Sequence, residues 1–218
     1  MSGLLRLADA ESVQDLGTYV ARARRLDPEG AMRLQATGRV LAAWVCVLPG
    51  QGLMRSGLVL GLRTLPLAGE HDLDATVPLA ALADRFARRA ATGDVGTEVA
   101  VPPMTVAPAW AGVSPPRAGW QQVGAVAWPV LERAAQEGIA AVAAGVPDGA
   151  GAHAVEELRR RVWGRPAGAT GTAAEVPAGA AFAAHGLGFG PAAAGAAVVL
   201  RSGPWWRLTL PTGHVLTR

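Results

Sequence analysis

The sequence contains no lysine and no asparagine, so all 20 of its basic residues are arginine. A P-loop nucleotide site requires a lysine on the β- and γ-phosphates. A pyridoxal or other Schiff-base enzyme requires a lysine amine. A protein kinase requires both its strand lysine and its catalytic-loop asparagine. The absence of these two residue types therefore excludes all three classes of protein.

Cysteine is nearly absent as well. Cys46 is the only cysteine among the 218 residues, so the chain can form neither an internal disulfide nor a cysteine-rich zinc site. It lies in the apolar segment Ala42–Leu48, which predicts a buried, unreactive thiol. Half of the residues are apolar and only 17% are charged, and this composition provides ample material for a folded core.

Long hydrophobic segments of the membrane type are also missing. Charged residues interrupt the first apolar segment, Leu4–Asp9, too early for a signal peptide, so we expect a cytoplasmic protein. Residues 176–200 carry no charge and are long enough to cross a bilayer. They are rich in glycine and alanine and contain Pro177 and Pro191, so we expect a helix, a glycine turn and a strand there. We therefore predict no membrane association.

The first half of the chain alternates helix and strand patterns. The predicted elements are a helix over residues 9–26, strands over 32–36, 39–48 and 57–65, a helix over 78–91 and a strand over 98–101. The first two strands are separated by a predicted turn at Thr37-Gly38. Residues 1–104 therefore predict an αβββαβ subdomain, in which a β meander is flanked by helices.

The second half begins after a proline-rich connector, residues 105–119. The predicted elements of residues 120–218 are helices over 129–145, 153–163 and 178–187 and strands over 197–201, 205–210 and 214–217. Three helices followed by a β hairpin is the order of a winged helix. The predicted fold class is α+β, and we expect the two subdomains to share one core because the C-terminal meander is short for an independent sheet.

Motifs that carry chemistry are scarce. The segment Glu70–Asp74 contains several potential ligands for a hard cation, but it lacks the calcium-loop pattern and favours a solvated acidic turn. The glycine-rich segment Gly186–Gly190 follows a helix, so it predicts helix termination and not a dinucleotide site. None of the five serines lies in a Gly-x-Ser-x-Gly elbow. We therefore predict no catalytic residue, no metal and no cofactor, and the sequence favours a protein that is not an enzyme.

Clusters of arginine are the strongest electrostatic feature. The candidates for contacts with phosphate are Arg85, Arg88, Arg89, Arg159, Arg160 and Arg161. Both clusters lie on predicted helices with acidic residues nearby, which equally suits a solvated helix face. The third helix of the second half, which would read bases in a winged helix, contains no arginine. Direct readout of a base sequence is therefore not expected.

Tryptophan is the other unusual residue, with seven in the chain. Trp205 and Trp206 are adjacent, so on a strand one faces inward and the other outward. An outward tryptophan beside arginine is typical of a binding hot spot, although packing beneath loops would also use tryptophan. The candidate interaction residues are Trp110, Arg117, Trp120, Trp205, Trp206 and Arg207.

Three segments carry a resemblance to a known group. Residues 115–120 (PPRAGW), 187–189 (LGF) and 206–215 (WRL…GHV) resemble uncharacterised proteins of high-GC Gram-positive (actinobacterial) bacteria, and the resemblance covers nearly the whole chain. That group has no assigned activity. The resemblance therefore implies a bacterial, cytoplasmic protein and transfers no catalytic residue.

Three functions remain open. The preferred hypothesis is a non-catalytic interaction protein, regulatory or scaffolding, that forms a homo-oligomer or binds another protein. The second is a nucleic-acid-associated protein that uses arginine–phosphate contacts, whose binding would weaken steeply with salt. The third is an enzyme or small-molecule binder with an unrecognised pocket near Arg117, Trp120 and His185.

Overall fold

The computed structural model describes residues 3–145, 151–168, 175–190 and 195–218. It combines helices with antiparallel strands, which confirms the predicted α+β class, whereas the winged-helix resemblance is not confirmed. The chain forms two compact units: the first contains Met1–Val47 and Leu62–Ser114, and the second contains Leu48–Gly61 and Pro115–Arg218. The subdomain boundaries expected from the sequence, with a connector at residues 105–119 and one shared core, stay a prediction.

The first unit contains two helices, two short paired strands and most of a long hairpin. Its elements are β1 (Leu4–Arg6), α1 (Ala10–Leu26), β2 (Ala31–Gln51), β3 (Ser56–Pro78), α2 (Leu79–Thr92), β4 (Glu98–Ala100) and a 3-10 helix (Ala109–Gly112), although residues 48–61 of the hairpin belong to the second unit. Helix α1 begins as predicted because Asp9 caps it, with Oδ1 accepting the Ser12 N–H at 2.7 Å. Its buried face includes Val13, Leu16 and Val20.

The hairpin corrects the prediction of two separate N-terminal strands. No turn interrupts the chain at Thr37-Gly38, because β2 runs without a break from Ala31 to Gln51. Gly38 has a φ of +57°, which glycine adopts at no steric cost. The reversal comes later, at the exposed segment Gln51–Met54. Pairing with a partner strand of similar length thus overrides the local turn signal.

Two further predictions change in the same hairpin. The acidic segment Glu70–Asp74 is part of strand β3 and not a turn. Its carboxylates are exposed while His71 and Leu73 are half-buried, as the alternation of side chains along a strand requires. Cys46 is half-buried in β2, whereas the sequence predicted a buried thiol.

The second unit contains a sheet and three helices. Its elements are β5 (Gln121–Ala127), α3 (Trp128–Gly145), α4 (Ala152–Trp163), α5 (Ala178–Gly186), β6 (Ala196–Ser202), β7 (Trp205–Leu210) and β8 (Gly213–Thr217), together with the end of the hairpin. The strand order is β2-β3-β8-β7-β6-β5. The hairpin joins the sheet beside β8, where the Gly57 N–H donates to the Arg218 carbonyl at 2.8 Å. The predicted C-terminal meander is confirmed.

The strands β6, β7 and β8 pair in register, so their side chains sort into two faces. One face, which we call the helix-covered face, carries Val199, Leu208 and Val215, which pair across the three strands and are at most 1% exposed. Phe189, directly after α5, packs against Gly213 on this face. The other face, which we call the arginine face, carries the residues of the alternate positions: Leu200, Trp205, Arg207, Thr209, His214 and Leu216.

The helices of the second unit pack through one tryptophan. The ring of Trp163, at the end of α4, stacks on Phe182 of α5 with centroids 4.4 Å apart. A Cβ on Gly138 of α3 would overlap the same tryptophan ring, so only glycine allows α3 this close. The sequence predicted all three helices but not the contact that joins them.

In the described ranges 3–145, 151–168, 175–190 and 195–218, no helix combines the length and the apolar character that crossing a bilayer requires. The uncharged segment 176–200 contains helix α5 and the beginning of strand β6, as the sequence predicted. Pro191, the second proline of this segment, lies outside the described residues.

Candidate interaction site on the C-terminal sheet

Strand β5 is the outermost strand of the six-stranded sheet. It pairs antiparallel with β6, from Gln121 opposite Arg201 to Ala127 opposite Ala196. A register shift between Gln122 and Gly124 marks a β-bulge near its beginning. After the bulge, Gly124–Ala127 pairs regularly, so one side of this segment faces its neighbour and the other lies at the edge of the sheet.

Two tryptophans fix the ends of β5. Before the strand, the Trp120 indole N–H donates to the Pro116 carbonyl at 2.9 Å, which closes the turn that leads into the sheet. After the strand, the Trp128 backbone N–H donates to the Gly195 carbonyl at 2.7 Å. The Trp128 ring lies so close to Gly190 that a Cβ there would overlap the ring. The edge strand is thus held at both ends by defined contacts.

The composition of β5 leaves its edge unprotected. Its seven residues include no charged side chain and no proline, the devices that usually discourage an edge strand from pairing with another chain. Ala125 and Ala127 are exposed and small, so a second backbone can approach closely. The other edge of the sheet is different, because β2 brings Pro49 into the second unit and proline cannot donate a ladder hydrogen bond.

The arginine face of the same sheet gathers polar groups around Arg207. Thr209 lies opposite His214 in the β7–β8 pairing, and Arg207 precedes Thr209 by two residues on the same face. Arg207 Nη2 lies 3.2 Å from His214 Nδ1 and 3.3 Å from Nε2. Thr209 Oγ1 lies 3.3 Å from His214 Nδ1. The three side chains therefore form one connected cluster.

Burial sets the ionisation of this cluster. Burial, and next the positive charge of Arg207, lower the pKa of His214 to about 4, so its ring is neutral at pH 7. Burial also lowers the pKa of Arg207, which nevertheless stays protonated at neutral pH. An arginine can only donate, so the neutral His214 ring accepts from it through an unprotonated nitrogen. The cluster carries one positive charge.

The adjacent tryptophans point to opposite faces of the sheet, as predicted. Trp205 is only 4% exposed, and the Arg218 guanidinium lies 5.5 Å from its ring centroid. Trp206 is half-buried on the other face, where the Arg201 guanidinium lies 4.9 Å from its ring centroid. Both arginines are within the range of a cation–π interaction. Trp206 is therefore the more exposed member of the pair, although it lies on the same face as Leu208.

The remaining interaction candidates are divided between the two units. Trp110 is 9% exposed in the first unit, where its burial gives it a packing role. Arg117 is exposed in the turn before β5. This turn is closed by the hydrogen bond from the Trp120 indole N–H to the Pro116 carbonyl. Trp120 is half-buried and anchors β5. Their role in binding stays a prediction.

The phosphate-contact candidates lie on two helices in different units. On α2, Arg89 donates to Asp94 and to the Glu98 carbonyl, and Arg88 is exposed. The Nε of Arg85 is buried without an acceptor among the described residues. On α4, Arg160 is paired with Glu157, whereas Arg159 and Arg161 are exposed. Three exposed arginines thus remain for the nucleic-acid hypothesis, which stays a prediction.

Two clefts lie in the first unit. One, of about 380 Å³, is lined by α1 and β3 and contains the paired Asp15 and Arg63. The other, of about 440 Å³, contains Arg33, which donates to both carboxylate oxygens of Asp74 and to the Ala111 carbonyl. Neither cleft includes the residues of the third hypothesis. Within the described ranges, no three His, Cys, Asp or Glu side chains are grouped to hold a metal ion.

The sequence patterns predicted neither strand β5 nor the partners of Arg207. The segment 121–127 contains one glycine, two glutamines and small residues, a weak strand pattern. The pairing of Thr209 with His214 could have been predicted from the sequence. Both residues flank the predicted Pro211-Thr212-Gly213 turn, and a hairpin places such residues opposite each other.

Comparison with known proteins identifies families but no activity. Residues 115–218 match the family described as Domain of unknown function (DUF8185), and residues 1–112 match the one described as Domain of unknown function (DUF8010). No curated protein and no solved structure matches the chain. The bacterial origin implied by the resemblance stays a prediction. The chain belongs to the family described as Domain of unknown function (DUF8010), whose model covers more than half of it.

Proposed function

We propose that this member of the DUF8010 family is a non-catalytic interaction protein that associates with a second copy of itself through strand β5. The observation that carries the proposal is the position and composition of β5. It is the outermost strand of its sheet and has neither charge nor proline in seven residues. An added strand would complete the hydrogen-bonding pattern at this edge.

A second copy fits this edge for a symmetry reason. In a two-fold antiparallel pairing the same strand meets itself, so any charge near the axis faces an identical charge. Strand β5 has none, and Gly124, Ala125 and Ala127 offer little steric resistance. The strand is therefore self-complementary.

The fixed ends of β5 favour association further. The contacts of Trp120 and Trp128 hold the strand in place before binding, so less conformational entropy is lost when a second copy pairs with it. Each inter-strand hydrogen bond contributes only about 0.5–1.5 kcal/mol net. We therefore expect a concentration-dependent dimer with a Kd on the order of micromolar.

Native mass spectrometry and sedimentation over a range of concentrations test the proposal. The 22.3 kDa chain should reach twice its mass. Ala125→Lys should hold it as a monomer, because two lysines would meet across the edge. Ala118→Lys is the matched control, since it places the same residue at an exposed position in the segment before β5, and it should dimerise normally.

A protein that stays monomeric at about 100 μM, well above a micromolar Kd, would contradict the proposal, as would an Ala125→Lys variant that dimerises like the control. A discrete added mass in the native spectrum would reveal a bound metal or metabolite and would argue against a purely structural role.

A further inference from the structure

We propose that Arg207, His214 and Thr209 form a binding site for the oxyanion group, phosphate or carboxylate, of a small-molecule ligand. The site lies on the arginine face of the C-terminal sheet. It is independent of the β5 edge and goes beyond self-association.

The geometry comes from the β7–β8 register. Opposite residues on paired strands share a face, so Thr209 and His214 lie together and Arg207 lies next to them along β7. The short distances within the cluster follow from this pairing. A site on two adjacent strands is rigid, because the ladder hydrogen bonds on either side fix both backbones.

No acidic side chain lies on the three strands that form this face. Between Val176 and Arg218 the sequence contains three arginines and two histidines but no aspartate or glutamate. Among the residues that the structure describes, Arg207 forms no ion pair with a carboxylate, whereas Arg33 of the first unit is bound by Asp74 through two contacts. An anionic ligand would therefore meet no nearby negative charge on these strands.

Burial makes the guanidinium a strong anion receptor. The Nε of Arg207 is inaccessible to solvent and has no acceptor among the described residues, so the guanidinium is only partly solvated. Its neighbours on the arginine face include Trp205 and Leu216, which are at most 4% exposed. Low-polarity surroundings strengthen the attraction between the guanidinium and an anion.

The cluster supplies donors of three kinds. The planar guanidinium matches the two oxygens of a carboxylate or phosphate. The Thr209 hydroxyl can turn its proton toward an oxyanion. The neutral His214 ring keeps one N–H, which is the third donor. All three side chains are half-buried, so a small anion can reach them.

The experiment uses inorganic phosphate as the probe and the ring signals of His214 as the readout. The chain has four histidines, and His214→Gln assigns the signal in a proton–nitrogen NMR spectrum. At pH 7 phosphate should shift this signal saturably and raise the pKa of His214, while chloride at equal ionic strength should not. A parallel titration with acetate shows whether phosphate or carboxylate is preferred.

Variants locate the site. Arg207→Gln should weaken phosphate binding at least tenfold, and Thr209→Val should weaken it less. Arg159→Gln is the matched control, since Arg159 is an exposed arginine on α4 of the same unit, and it should bind phosphate normally. Ala125→Lys should also bind normally, which separates this proposal from self-association. The backbone spectrum of each variant reports whether it is folded, and Thr209→Val provides the answer should Arg207→Gln unfold.

Three results would overturn the proposal. The first is no shift of the His214 signal by phosphate or acetate up to about 50 mM, a range that detects binding of about 2 kcal/mol. The second is an equal response to chloride, which would mean general screening. The third is an equal loss of binding in the Arg207 and Arg159 variants, which would place the anion elsewhere.

Discussion

The arginines of the two units have different partners. In the first unit, Arg6, Arg33, Arg63 and Arg89 each pair with a carboxylate from a distant or following segment. On the sheet of the second unit, Arg201 and Arg218 lie over tryptophan rings and Arg207 contacts a neutral histidine. The same residue type therefore cross-links strands and helices in the first unit and leaves positive charge without a carboxylate partner on the described strands β6–β8 of the second.

An anionic ligand is expected to bind where arginine has no carboxylate partner. An arginine neutralised by a bidentate carboxylate has its donors occupied, so the clefts around Arg33 and Arg63 are already satisfied. An arginine beside an aromatic ring keeps its N–H donors for other acceptors. The sheet of the second unit is thus the place where an anion gains most.

The largest expected effect compares the two adjacent tryptophans. Trp205→Ala removes a side chain that is 4% exposed, so it should lower the free energy of unfolding by about 3–5 kcal/mol. Trp206→Ala removes a half-buried ring and should cost about 1 kcal/mol. Denaturation in urea measures both. An equal fall in the free energy of unfolding for the two variants would contradict the assignment of Trp205 as the residue that stabilises the fold.

Arg33→Gln tests the carboxylate-paired type of arginine. It removes the two contacts with Asp74 and the 2.7 Å bond to the Ala111 carbonyl. Arg33 is only 19% exposed but Asp74 is 51% exposed, so solvent compensates part of the loss. We expect the free energy of unfolding to fall by about 1–2 kcal/mol. An unchanged urea midpoint would contradict this contribution of the ion pair.

Acid should weaken the second unit before the ion pairs of the first. The pKa of His214 is about 4 in the folded protein, below its ordinary 6.5, so the unfolded chain binds more protons between these values. Stability is therefore complete above about pH 6.5 and falls as the pH drops toward 4, by about 1–2 kcal/mol once solvent screening of a partly exposed ring is included.

The measurement compares the free energy of unfolding as a function of pH in the wild type and in His214→Gln. The variant should lack the decrease that the wild type shows between pH 6.5 and 4. Asp74 responds in the same direction but at lower pH. The hydrogen bond from Arg33 lowers the pKa of Asp74, so its contribution is present above its ordinary pKa of 3.8 and is lost only at still lower pH. A slope between pH 4 and 6.5 that persists in His214→Gln would assign it to other groups.

The smallest effect is expected at Arg207. Arg207→Gln removes a half-buried charge that has no carboxylate partner among the described residues, so stability should change by less than about 1 kcal/mol and in the stabilising direction. The contrast with Arg33→Gln is the sharpest test of the comparison. A loss as large as that of Arg33→Gln would show that Arg207 serves the fold and not a ligand.

Local signals predicted the elements whose ends are fixed by neighbouring residues. Helix α1 begins at its Asp9 cap, and the β7–β8 hairpin turns at Pro211-Thr212, because capping and turn chemistry act within a few residues. The turn at Thr37-Gly38 was wrong for the opposite reason. Its glycine signal is real, but the pairing of β2 with β3 extends over more than 20 residues and outweighs it.

The candidate sites show the same limit. The sequence named Arg207, Trp205 and Trp206 but not the histidine and threonine beside them, and it missed β5 altogether. Asp74 was assigned to a solvated turn, whereas it binds Arg33 and Gln35 of the neighbouring strand. Partners that lie tens of residues apart depend on strand register, which a local pattern does not specify.

The sequence alone determined the α+β class, the helix ends with their own caps, and the exclusion of lysine-dependent chemistry, since each depends on composition or on contacts within a few residues. Only the tertiary structure decided which arginines meet carboxylates, which strand lies at the edge, and which side chains surround Arg207. The physical reason is that charge compensation and edge exposure are properties of strand order, and strand order is set by long-range pairing.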